Sequence, residues 1–166
     1  MRWIWIDKFI EFESGKRAVA LKNVTLAEEH LHDHFPGFPV MPESLCIEAM
    51  AQTAGILVGE AKKFQEKVIL AKIKKAVFFD YVKPGDTIIL EATIESIAPE
   101  AAGTSGRITC SEKLLAEIDL MFSHIDQNLA GKEFPEENFV FGDDTSVFKS
   151  LLRDVLAGAG KESEQD

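Results

Sequence analysis

Downstream of Pro42 the chain carries a helix-length segment that is apolar almost all round: Leu45, Ile47, Ala49, Met50, Ala51, Ala54, Ile56, Leu57 and Val58. At 3.6 residues per turn such a helix has no broad face to offer water, so the rest of the molecule must enclose it. Ser44, Glu48 and Gln52 interrupt the pattern, and their spacing of four places them on a single stripe. The helix is predicted to run from about Pro42 or Glu43 to Lys63, with proline near its first turn, where the missing N–H costs nothing. A chain of 166 residues with 46% apolar content can bury one good core, which argues for a single domain with an extension.

The flanking segments read as strands. Residues 2–12 and 16–25 alternate apolar and polar positions around Ser14-Gly15, a hairpin signal. Residues 68–82, 87–98, 107–111 and 113–124 are β-rich, joined by the turn Pro84-Gly85-Asp86 and by a loop over 99–106. Between the hairpin and the helix lies a loop, 27–42, stiffened by Pro36, Gly37 and Pro39 and poorly suited to helix. One buried helix among antiparallel strands is an α+β layer architecture. Beyond residue 125 the pattern changes. A short amphipathic helix is expected over 147–156 (Val147, Phe148, Leu151, Leu152, Val155, Leu156), capped by Asp144, Thr145 or Ser146 and packed on the outer face of the sheet. The last residues, KESEQD, are expected to be disordered. Two units follow, a domain over 1–125 and an acidic extension over 126–166; no internal repeat is evident.

The net charge of −10 discourages a nucleic-acid role. It is unevenly spread, with ten acidic against four basic residues over 126–166 and eighteen against fourteen over 1–125. Lys62, Lys63, Lys67, Lys72, Lys74 and Lys75 reverse the balance locally; they form either a solvated lysine face or a patch that receives an acidic partner or a phosphate-bearing arm. Cys46 and Cys110 lie far apart without Cys-x-x-Cys spacing, so buried free thiols are expected rather than a disulfide or zinc site. The N-terminal MRWIWIDKF has no apolar run long enough for a signal peptide, and no stretch approaches a membrane span. A cytoplasmic protein, with no membrane partner, is the expectation.

Two groups stand out chemically. His34 sits in the stiff loop just before the helix, and an imidazole ordinarily titrates near pH ~6.5, which suits a general base. Glu48 lies on the apolar helix, where burial would favour its protonated form and let it act as a general acid; the plainer reading is a structural glutamate tied to a helix end or a strand. The free N–H groups of Glu43 and Ser44 at the helix start could stabilise an oxyanion, and Gln52, one turn past Glu48, is placed to orient its carboxyl. His30, His32, Asp33 and His34 also crowd five residues, but they fall one residue short of the H-x-H-x-D-H arrangement of metal hydrolases, and only His124 is available to complete a shell. No metal is expected, and loop hydrogen bonding accounts for His30 and His32.

The same residues carry a family resemblance. HFPG (34–37), P-x-MP (39–42) and L-x-x-EAMAQ (45–52), followed by VKPGDTIILEATI (82–94) and KLLAEIDLMFSHI (113–125), resemble the bacterial 3-hydroxyacyl-[acyl carrier protein] dehydratases of dissociated fatty acid synthesis. The likeness covers roughly residues 1–125. It implies a hotdog fold, in which the sheet wraps the helix, and dehydration of a 3-hydroxyacyl thioester to the trans-2-enoyl thioester without metal or organic cofactor. It further implies a homodimer, with assembly to a trimer of dimers left open, whose sites pair His34 of one subunit with Glu48 of the other. Phe35, Phe38, Val40 and Met41 become candidates for the walls of an acyl tunnel, or for ordinary core. Glutamate at position 48, where isomerising relatives tend to have aspartate, leans towards dehydration alone. Two departures matter. Glu43 stands where the family has glycine, and Phe79, Asp80 and Tyr81 stand where basic residues are usual, so the carrier could be acyl carrier protein or coenzyme A. A hotdog thioesterase and a catalytically silent acyl-binding homologue are the rival readings.

Overall fold

Alternating side chains on three neighbouring strands point at one helix, and that geometry organises the computed structural model, which describes residues 4–125, 128–129, 132–133, 150–153 and 155–156. The elements are β1 (Lys8–Glu13), β2 (Arg17–Asn23), α1 (His30–Asp33), α2 (Glu43–Ala61), β3 (Lys67–Phe78), β4 (Thr87–Ile97), β5 (Ala101–Cys110) and β6 (Lys113–Ile125), then the two-residue strands β7 (Asn128–Leu129) and β8 (Lys132–Glu133). The first six strands form one sheet in the order β1-β2-β4-β5-β6-β3, every neighbouring pair antiparallel. Ile88, Leu90 and Ala92 of β4, Ala102 and Ile108 of β5, and Ala116, Ile118, Leu120 and Phe122 of β6 are buried at alternate positions. This is the period-2 signature of a sheet with one covered face, and α2 is what covers it: Ala49, Met50, Ala54, Ile56, Leu57 and Val58 join those residues in one core.

The hairpin falls where the sequence placed it, with Ser14-Gly15 in the turn and Gly15 at φ +72°. Two expectations need correction. The loop predicted over 99–106 is mostly strand, since β5 begins at Ala101. Gly106 is there because α2 crosses close above it. A Cβ on Gly106 would lie 2.5 Å from Met50 Sδ and 2.9 Å from the Ile118 carbonyl oxygen, so glycine is what lets the helix settle on the sheet. Likewise, the segment judged unsuited to helix contains the single turn α1, which lies before the Pro36–Pro39 stretch and buries Leu31.

Of the C-terminal extension, residues 150–153 and 155–156 are helical, with Leu152 inside the core and Leu151 and Val155 packed against it. The remainder of the predicted helix, its capping residues and the KESEQD tail lie outside the described residues. No helix among the described residues is long and apolar enough to cross a membrane. Cys46 is buried and Cys110 half-buried, both free; burial, with Glu43 nearby, pushes the Cys46 thiol up to about 12, so it is no nucleophile at neutral pH.

Candidate active site

The loop before α2 holds His34 from both sides. The backbone N–H of His34 closes α1 by donating to the His30 carbonyl (3.1 Å). A tight turn follows in which Phe35 and Phe38 exchange backbone hydrogen bonds of 3.1 and 2.8 Å, made possible by Gly37 at φ +78°, a conformation glycine adopts without strain. The chain then returns, so that Val40 N–H donates to the His34 carbonyl at 2.9 Å and the His34 ring reaches back, its Nδ1 3.2 Å from the Val40 oxygen. A carbonyl can only accept. Nδ1 therefore carries the hydrogen, and in the neutral ring the lone pair sits on Nε2. The Phe35 ring stacks on the imidazole, centroids 4.0 Å apart, and His34 remains half-buried.

Met41 N–H donates to the Val82 carbonyl (2.8 Å), pinning the start of α2 against the connection between β3 and β4. At the helix N-terminus Leu45 and Cys46 N–H both use the Pro42 carbonyl (2.9 and 3.1 Å). Among the described residues, the N–H groups of Glu43 and Ser44 have no backbone carbonyl to receive them, and Pro42 at the cap position offers no side-chain acceptor. The Glu43 side chain is exposed and lines a pocket of about 180 Å³ with Phe78, Phe79, Asp80 and Tyr81. Asp80 is held by Lys113 and by Tyr81 N–H, and these donors keep its carboxyl below the usual range.

On the polar stripe, Gln52 and Glu48 meet as their spacing predicted. Gln52 Nε2 donates to Glu48 Oε1 at 2.9 Å, while Gln52 Oε1 accepts the backbone N–H of Trp5 at 2.8 Å. The Trp5 donor decides which way the amide faces, and hence that its NH₂ points at the carboxylate. The burial expected of Glu48 is not supplied by its own chain. Glu43, Ser44 and Glu48 are exposed and Leu45, Ile47 and Gln52 only half-buried, because the sheet covers the opposite side of α2. Among the described residues no hydrogen bond or ion pair joins His34 to Glu48. Val40 and Met41 are buried, whereas Phe35 and Phe38 are exposed, with Phe38 edge-on to Tyr81 at 5.6 Å and Lys83 5.4 Å above its ring. The three crowded imidazoles diverge: His34 to Val40, His32 Nε2 to the Leu26 carbonyl at 3.0 Å, and His30 against Trp5. Sequence reading missed the Val40 carbonyl and the Trp5 N–H. Both are main-chain groups, and no residue type advertises them.

The sheet curled on a central helix defines the hotdog class, and comparison with known proteins narrows it. The family model for the FabA-like domain matches residues 3–118. The chain is 42% identical over 121 residues to the 3-hydroxyacyl-[acyl-carrier-protein] dehydratase FabZ of Caldanaerobacter subterraneus, covering 72% of this chain and 86% of that one. It is 42% identical over 123 residues to its namesake from Thiobacillus denitrificans, covering 72% and 85%. Among solved structures, the dehydratase heterocomplex ApeI:P of Xenorhabdus doucetiae superposes with a TM-score of 0.60 at 15% identity, covering 75% of this chain and 84% of that one. The chain belongs to the FabA-like family. It is a dehydratase of fatty acid biosynthesis.

Proposed function

We propose that the chain removes water from 3-hydroxyacyl-[acyl carrier protein], with His34 as base and Glu48 as acid, in sites built from two copies of the chain. The observation that carries this reading is the Nδ1 contact to Val40, which leaves Nε2 as the basic nitrogen. Nε2 takes the α-proton, and the electrons move into the thioester carbonyl, whose developing negative charge lies at the N–H groups of Glu43 and Ser44, reinforced by the helix dipole. The enolate then collapses, the C3–O bond breaks, and Glu48 delivers its proton to the departing hydroxyl, releasing water and the trans-2-enoyl thioester. Gln52 holds the carboxyl in one orientation for that transfer.

A second copy is needed because His34 and Glu48 are not paired within one chain. The surface offers it a seat. β3 is an edge strand of twelve residues with Leu70, Ile73 and Val77 exposed at 38%, 46% and 37%, and a long edge with exposed apolar residues invites pairing. Covering it in a two-fold dimer would also bring a second copy towards the open face of α2, drying the surroundings of Glu48. Acyl carrier protein is the favoured carrier, and the cytoplasm the compartment.

The test is enoyl formation from a 3-hydroxyacyl carrier-protein substrate; normal turnover in both His34→Ala and Glu48→Gln would refute the assignment. Co-assembling the two variants probes the shared site, since each hybrid dimer regains one intact His34–Glu48 pair and therefore activity. Release of free thiol without enoyl product would mark a thioesterase instead.

A further inference from the structure

A carboxylate left free beside a developing enolate opposes the charge that the site must stabilise. Glu43 is such a group. Its backbone N–H is one of the two donors given to the thioester oxygen, and the residue lines a pocket of about 180 Å³ with Phe78, Phe79, Asp80 and Tyr81. The two carboxylates of this pocket differ. Asp80 is engaged on both oxygens, one by Lys113 and the other by the Tyr81 N–H at 2.8 Å. Glu43 is exposed, and among the described residues no hydrogen bond or ion pair engages it. The remaining walls are aromatic. Phe79 and Tyr81 are 55% and 54% exposed, and Phe38 braces Tyr81 edge-on at 5.6 Å.

Because the pocket adjoins the residue that holds the thioester oxygen, it receives atoms close to that carbonyl, and two sets of atoms compete for it. The acyl side is hydrocarbon. It has no donor for Glu43, and packing it there would remove water from a carboxylate without replacing the lost hydrogen bonds. The carrier side is different. A carrier arm has an amide N–H two methylenes beyond the sulfur, and the Glu43 carboxylate stands two methylenes from its own Cα. An amide donates to a carboxylate in a charge-assisted hydrogen bond, and its flat faces pack against the Phe79 and Tyr81 rings. The phosphate farther along the arm is repelled by Glu43 and Asp80 and stays outside. Exposed walls also suit an arm that must leave the site towards its carrier.

We propose that Glu43 is a positioning residue that accepts a hydrogen bond from the first amide N–H of the carrier arm, a group common to acyl carrier protein and coenzyme A. The inference rests on the dehydratase reading and on the oxyanion role of the helix start. The bond anchors the substrate from the sulfur side, with its carbonyl at the Glu43 and Ser44 N–H groups. It also sets a donor against the carboxylate that would otherwise face the enolate.

The experiment compares two thioesters of one 3-hydroxyacyl group, the first with N-acetylcysteamine and the second with its isostere in which an ester oxygen replaces the N–H. Wild type, Glu43→Leu and Glu43→Gln are assayed on both. The readout is the ratio of the two kcat/KM values, in which partial unfolding or damage to the oxyanion donors cancels. Wild type is expected to favour the amide about tenfold, the size of one such hydrogen bond. The ratio should fall towards unity in Glu43→Leu, with Glu43→Gln, whose carbonyl still accepts, in between. No preference in wild type, or one ratio in all three proteins, overturns the assignment. Glu43→Leu is then measured on the same acyl group carried by acyl carrier protein and by coenzyme A. A loss of about tenfold on either supports the contact and identifies the arm that makes it; no loss on both overturns it. Enoyl product with an unaltered ratio removes the role of Glu43 alone. Absence of enoyl product from every carrier removes the dehydratase reading, and the ratio of dissociation constants for the same pair of thioesters then decides Glu43 by the same criterion.

Discussion

Adding a single methyl group at Gly106 tests how the helix is seated. In Gly106→Ala the new Cβ would stand 2.5 Å from Met50 Sδ, 2.9 Å from Met50 Cε and 2.9 Å from the Ile118 carbonyl oxygen. The methionine tip can swing, but it is fully buried and has little room. The carbonyl belongs to β6 and cannot move without its ladder. Overpacking of this kind costs about 1–3 kcal/mol, which for a chain of this size lowers the melting temperature by roughly 2–12 °C. Met50→Ala by itself costs about 2–5 kcal/mol through the cavity it leaves. When the two are combined, the methyl added at Gly106 occupies part of that cavity and escapes the sulfur, so the double variant should be more stable than the sum of the two losses predicts, by about 0.5–3 kcal/mol. Differential scanning calorimetry of the four proteins provides the cycle. Met50 is two residues from Glu48, so Gly106→Ala should also lower kcat as α2 lifts from the sheet. A Gly106→Ala protein that melts with wild type, or a strictly additive double variant, would show that α2 does not press on β5 as described.

Gln52→Leu removes both the donor to Glu48 and the acceptor for Trp5 N–H; stability should fall by about 1–2 kcal/mol and kcat should fall more than KM rises, whereas unchanged kinetics would deny Gln52 its orienting role. Ile73→Lys places a charge on the exposed edge β3, and sedimentation velocity should then report monomer with activity lost in parallel; a fully active monomer would remove the two-copy site. His30 is held below its ordinary value of 6.5, chiefly by burial, so the unfolded chain takes up its proton more readily than the folded one. Its contribution to stability is therefore present above about pH 6.5 and declines as the pH falls below that. His30→Phe, which cannot titrate, should flatten that part of the denaturation-midpoint profile, and an identical slope in both proteins would count against the buried neutral ring.

Linear pattern was enough to locate what depends on neighbours along the chain. The near-continuous apolar run from Leu45 to Val58 required an enclosed helix, Ser14-Gly15 required a hairpin, and the spacing of Glu48 and Gln52 required their contact. The residues of HFPG and EAMAQ likewise marked a candidate base and a candidate acid, and their resemblance to the dehydratases supplied the reaction. What depends on remote backbone was not legible. Residues 101–106 looked like a loop since their glycines suit turns, and only the crossing of α2 over β5 shows that Gly106 sits in a strand and makes room for Met50.

Amino-acid order alone thus determined the class of fold, the position of the central helix and the candidate acid and base. Tertiary structure decided which nitrogen of His34 is basic, because the Val40 carbonyl comes into range only when the loop folds back. It also decided that Glu48 stands on the open side of α2, because one sheet of six strands can cover only one side of a helix. The first outcome follows from side-chain periodicity, which is local; the second follows from three-dimensional closure, which no single segment encodes.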